Sequence, residues 1–118
     1  MINILEKSIQ KSIIHYLRLR NFITIDCDSM FALSYIPSIS KKRFAFINEK
    51  KLKGWTKGQP DLIIISPEGK IFFVEMKNDK GRQSEEQKYF QEIITERGLN
   101  YFVWRNLDDC INTLKKFS

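Results

Sequence analysis

Gly58-Gln59-Pro60-Asp61-Leu62-Ile63-Ile64-Ile65, then Ser66-Pro67-Glu68-Gly69-Lys70, then Ile71-Phe72-Phe73-Val74-Glu75-Met76-Lys77, is the stretch that decides the fold. It reads as two neighbouring strands joined by a turn. Leu62 to Ile65 is one strand, with Asp61 at its start; Ile71 to Lys77 is the other. Pro67 and Gly69 stand in turn-forming places between them. Side chains alternate across a strand, so Glu75 and Lys77 point to the same face, about 6.6 Å apart along it. Asp61, Glu75 and Lys77 thus converge on one point. Two carboxylates and an ammonium placed together suit a hard divalent cation and a phosphate.

Outward from this hairpin, the pattern is helix, strand, basic helix, strand, strand, helix, strand, helix. Leu5, Ile9, Ile13, Ile14 and Leu17 recur at helical spacing and predict a first helix from Ile4 to about Arg20. Phe22 to about Cys27 alternates and is rich in branched residues, as a strand does. Asp28 to Ile39 has no period, and Pro37-Ser38 argues for a loop. Ser40 is placed to cap a Lys-rich helix over 41–53 that ends at Gly54. After the hairpin, Asn78 to Gln83 is a polar loop. Ser84 then stands as an N-cap with Gln87 as its capping-box partner. That helix runs to about Arg97, stops at Gly98 and turns Phe90, Ile93 and Ile94 inward. Tyr101 to Arg105 is a further strand. A closing helix runs to Phe117, with Ile111, Leu114 and Phe117 inward. There is no repeat, low-complexity segment or linker to divide the chain. The fold class expected is α/β, a central mixed sheet of about four strands flanked by helices, in a single domain over 1–118.

The 118 residues are enough to bury a core, and 42% hydrophobic with 13% aromatic residues excludes a disordered tail as the main state. No apolar run approaches the roughly 20 residues that span a bilayer, and no secretory leader is visible. A formal charge of +6 favours a polyanionic partner, nucleic acid first. Cys27 and Cys110 stand too far apart for a metal-ligand pair and read as free thiols in a reducing compartment. With His15 the one histidine, zinc fingers and histidine-based nucleases are disfavoured. A cytoplasmic location, in a bacterial cell or in a host if phage-encoded, is the expectation.

Alone, Glu75-x-Lys77 is what an exposed strand often carries. A strand-starting Pro-Asp beside it changes the reading. Carboxylates at the ends of adjacent strands hold Mg²⁺ or Mn²⁺, ions that want oxygen ligands and keep waters, one of which can be the nucleophile with its pKa lowered. Lys77 then stabilises charge on the phosphate or orients the water. Glu6 borders the apolar stripe of the first helix, where a carboxylate is costly without a positive partner or an ion; as a helix-start acid it also favours the dipole. Lys41, Lys42, Arg43, Lys50, Lys51, Lys53, Lys57, Lys80 and Arg82 flank the motif on both sides, either as a solvated basic face or as contacts to a nucleic-acid backbone. Trp55 is taken as core rather than as a stacking platform.

Lys57-Gly58-Gln59-Pro60-Asp61-Leu62, Val74-Glu75-Met76-Lys77 and the following Gln87 together resemble the VRR-NUC domain, the virus-type replication-repair branch of the PD-(D/E)xK nucleases. The resemblance covers most of the chain. It implies a restriction-endonuclease-like core and metal-dependent hydrolysis of phosphodiester bonds. It implies Asp61, Glu75 and the Met76 carbonyl as metal ligands, Glu6 on the metal through water, Lys77 as the catalytic lysine and Gln87 at the edge of the site. Stand-alone domains of this type resemble Holliday-junction resolvases, so branched DNA is the expected substrate. A homodimer or higher homo-oligomer, with Met30 to Ile39 as its surface, is the expected assembly. The alternatives are an inactive DNA-binding module or partner subunit on the same fold, and a restriction-type or RNA-directed nuclease on the same core.

Overall fold

The computed structural model describes residues 4–27, 48–49 and 58–117, with side chains from Lys7 onward. Helix α1 (Ile4–Leu19) leads into strand β1 (Ile23–Asp26). Strands β2 (Leu62–Ile65) and β3 (Ile71–Met76) form the hairpin. Helix α2 (Glu85–Glu96), strand β4 (Asn100–Trp104) and helix α3 (Leu107–Lys115) complete the described elements. The sheet has four strands in the order β1-β2-β3-β4. The first two pairings are antiparallel and the third is parallel. The mixed sheet follows from the connections. A tight turn can join only antiparallel neighbours, whereas β3 and β4 run parallel because a helix crosses between them.

One face of the sheet is the core. Leu62 and Ile64 of β2, Phe72, Val74 and Met76 of β3, and Trp104 of β4 pack against Ile13 and Leu17 of α1 and Cys110 of α3. Each fully buried aliphatic side chain contributes roughly 1.5–3 kcal/mol relative to exposure. α1 packs on β1 and β3 and against α3, and α2 packs on β4. The expected stripe of α1 is the buried one: Ile13 and Leu17 are fully buried, and Ile9 and Ile14 pack against them. In α2, Ile94 is buried while Phe90 and Ile93 are half-buried.

α3 corrects the expectation for its inward face. Cys110 is fully buried, with Leu107, Leu114 and Phe117 packed against the core, and Ile111 sits to one side. The true stripe is 107, 110, 114 and 117. A cysteine there behaves as a small hydrophobe, and the larger Ile111 drew the reading off by one residue. Of the basic helix expected over 41–53, only residues 48–49 are described, and they are helical. The loop from Asp28 to Ile39 and Trp55 lie outside the described residues, as do Lys41, Lys42, Arg43, Lys50, Lys51, Lys53 and Lys57. Among the described residues, no helix is long and apolar enough to cross a membrane.

Candidate nuclease site

The hairpin register places the two carboxylates. Leu62 pairs with Val74 and Ile63 with Phe73 in an antiparallel ladder. One step further along it, Asp61 falls opposite Glu75. Both belong to the face carrying Ile63 and Phe73, away from the core. Lys77, one residue past the end of β3, follows Glu75 on that face and is half-buried. Its backbone N–H donates to Trp104 O at 3.0 Å, so β4 holds the chain straight through the motif.

Both acids are buried, Glu75 to 1% exposure and Asp61 to 8%. Asp61 Oδ2 accepts from the Met76 backbone N–H at 2.6 Å, which fixes its carboxylate against the end of β3. Glu75 is held at both oxygens. Oε1 accepts from Gln87 Nε2 at 2.7 Å and Oε2 from the Tyr101 hydroxyl at 2.9 Å. Both of these donors are neutral groups, an amide and a phenol, and bringing two carboxylates together out of water is costly.

Gln87 completes the capping box expected of it, and its amide also reaches Glu75. Ser84 Oγ accepts from the Gln87 backbone N–H at 3.1 Å, and Gln87 Oε1 accepts from the Ser84 N–H at 2.8 Å, a complete capping box. A backbone N–H can only donate, so Oε1 must face it and Nε2 must face Glu75. The cap of α2 therefore decides which end of the amide enters the site.

Gly58 explains the spacing of the motif. Its φ is +85°, in the left-handed region, and a Cβ on it would overlap the backbone carbonyl of Glu86 in the first turn of α2. Only glycine meets both demands. The following Gln59 donates through Nε2 to the Cys27 carbonyl, and the Cys27 N–H donates to Asp61 O at 2.8 Å. The stretch from Gly58 to Asp61 is thus gripped by α2 on one side and the end of β1 on the other.

Two further residues shape the site and went unread in the sequence. Tyr101 lies opposite Phe73 in the parallel ladder, diagonal to Glu75, within reach of an aromatic side chain. Its phenol pKa is pushed up, first by burial and then by the charge of Glu75, which keeps it a hydrogen-bond donor. Arg105 donates through one terminal nitrogen to Asn78 O at 2.7 Å and Gly81 O at 2.6 Å, pinning the loop between Lys77 and α2. That loop carries Lys80 and Arg82, both exposed. Neither Tyr101 nor Arg105 had a local signal, because the register across the β3–α2–β4 crossover is not written in either strand.

Of the other expected site residues, Glu6 lies on α1, and its side chain is outside those described. Among the described residues no group of three His, Cys, Asp or Glu side chains comes together as a metal cage. Asp61 and Glu75 are a buried, oxygen-only pair. That donor set fits Mg²⁺ or Mn²⁺, hard ions; Mg²⁺ takes one or two carboxylates and keeps several waters.

A mixed α/β sheet with an Asp and a Glu-x-Lys brought together at one end of a hairpin defines an α/β domain built around a carboxylate pair. The chain matches the family model described as the VRR-NUC domain over residues 6–106, and it belongs to that family, a nuclease-type domain. It is similar to a solved structure described as a VRR_NUC domain, with a TM-score of 0.68 and 21% identity, covering 97% of this chain and 98% of that one. It is also similar to a VRR_NUC domain protein, with a TM-score of 0.67 and 17% identity, covering 98% of this chain and 89% of that one. At these identities the likeness is one of fold. No curated protein matches the chain.

Proposed function

We propose that the chain is a Mg²⁺- or Mn²⁺-dependent endonuclease that hydrolyses phosphodiester bonds in DNA, acting by preference on branched substrates. The observation that carries this reading is the register of Asp61 against Glu75, both buried, with Lys77 next on the same face. When bound, the cation supplies Lewis-acid polarisation of the phosphate and of the attacking water.

The chain's own residues do the rest. Asp61 and Glu75 hold the cation, with the Met76 carbonyl as a further oxygen ligand and Glu6 reaching it through water. Gln87 steadies Glu75 from the cap of α2. The Lys77 ammonium meets the negative charge that grows on the phosphate as water attacks. Attack forms one P–O bond and breaks another, leaving a phosphate monoester and a sugar hydroxyl that takes up a proton. Lys80 and Arg82, on the loop beside the site, contact backbone phosphates, and Lys41, Lys42, Arg43, Lys53 and Lys57 are assigned the same kind of contact from the sequence. Contacts of this kind position the duplex without reading its sequence.

Preference for a junction follows the likeness to Holliday-junction resolvases. Two symmetric cuts call for a homodimer in the cytoplasm of the cell that holds the DNA. The test is incubation of the protein with labelled four-way junction, flap and linear duplex, with and without Mg²⁺ or Mn²⁺. Metal-dependent cleavage, fastest on the junction, is expected. Binding without cleavage under any of these conditions would establish the inactive DNA-binding module instead.

A further inference from the structure

The Glu75 carboxylate is held by more than its cap. Tyr101 is buried to 7% exposure, and its hydroxyl stands 2.9 Å from Glu75 Oε2. A phenol has one proton. A carboxylate oxygen can only accept, so in this contact that proton is committed to Glu75. Gln87 Nε2 reaches the other carboxylate oxygen from the opposite element. The two donors come from β4 and α2, and together they fix the rotation of the carboxylate about its last bond, a torsion that is otherwise broad.

We infer that Tyr101 is a positioning residue for the divalent cation: through Oε2 of Glu75 it sets the plane of the metal-ligating carboxylate, and the cation's affinity depends on its hydroxyl. This rests on the metal-site reading above. Groups that hydrogen-bond a ligating carboxylate change metal affinity or activity by about 10–100-fold when removed. The phenyl ring packs independently of the hydroxyl, so Tyr101→Phe removes the hydrogen bond and keeps the ring.

The experiment measures Mn²⁺ binding by titration calorimetry and by the loss of the free-ion electron paramagnetic resonance signal. It uses the whole chain, as wild type, Tyr101→Phe and Asp61→Asn, with thermal melting of each. Wild type is expected to bind Mn²⁺ and Asp61→Asn to lose it. Tyr101→Phe is expected to bind about 10-fold more weakly or worse while melting cooperatively. A Tyr101→Phe affinity within about twofold of wild type, with Asp61→Asn still defective, overturns this inference and leaves the metal site standing. A wild type that binds no Mn²⁺ overturns the metal-site reading and the inference with it. If Tyr101→Phe does not fold, Tyr101→Leu carries the test. It keeps an apolar side chain at the position and removes the hydroxyl. Severalfold weaker Mn²⁺ binding supports the inference, and unchanged binding overturns it.

Discussion

At Asp61, Glu75 and Lys77 the proposed chemistry depends on charge placed at one buried corner, and single substitutions separate the proposed jobs. Asp61→Asn keeps the shape of the side chain and its acceptor for the Met76 N–H, yet removes a negative charge that a cation needs. It is expected to abolish both Mn²⁺ binding and cleavage, checked by calorimetry alongside the junction assay. Lys77→Ala removes the ammonium that the proposed mechanism sets against the phosphate and leaves both carboxylates. It should cut turnover by about 10²–10³-fold while retaining most of the metal affinity. If Lys77→Ala cleaves at the wild-type rate, the assigned role is wrong. That Asp61 and Glu75 would fall opposite each other was legible from spacing, because an antiparallel hairpin forces the start of one strand against the end of the next; their roles rest on the family resemblance. Gly58 was legible as a motif letter, but its physical reason needed the structure: α2 sits on its α-carbon, and nothing in the local sequence says which element covers a turn. Tyr101 and Arg105 were read only as strand residues, since a parallel register set by a crossover helix leaves no local trace.

Among the elements, α2 links stability to the site. Its capping box was visible as Ser84 and Gln87, and its stop as Gly98, whose φ is +79°. Among the described elements, strand and helix existence followed from periodicity; on the inward face of α3, Leu114 and Phe117 were read correctly while the small Cys110 was passed over for the larger Ile111. The geometry at the cap makes a prediction that tells the two roles of Gln87 apart. Ser84→Ala removes the hydroxyl that accepts from the Gln87 N–H and should cost about 1 kcal/mol of stability. It leaves the backbone N–H at position 84 that Gln87 Oε1 accepts from, so Nε2 still faces Glu75 and turnover of the folded protein should stay near wild type. Gln87→Ala removes half of the cap and the clamp together. It should lose comparable stability and in addition lower cleavage about 10-fold or more. Urea unfolding and initial rates on the same preparations check both. Equal losses of turnover in the two variants would show that the cap acts only by holding the helix.

For the molecule as a whole, the division of labour between the two sheet faces governs how stability responds to pH. Among the described residues of the core face, Cys110 is a titratable group fully buried between α3 and the sheet. Burial pushes its thiol up from 9.0 to about 12, with Arg20 pulling weakly the other way. A native thiol that holds its proton more tightly than the unfolded chain contributes its full share of stability below pH 9. As pH rises, the unfolded chain ionises first and is favoured, so that share is lost between pH 9 and about 12. The slope expected across this window is a loss of about 1.4 kcal/mol per pH unit. Lysines and tyrosines titrate in the same range, so the comparison that isolates Cys110 is with Cys110→Ala. The variant should be less stable at neutral pH, by the cavity it leaves. Its disadvantage should then shrink steadily as pH rises, because it has no thiol to ionise. Urea unfolding of both proteins at pH 7, 9, 10 and 11 measures this. Parallel curves across that range would mean that the thiol meets solvent or a positive partner in the native state, and that the core face is less sealed than the packing of α1 and α3 against it implies.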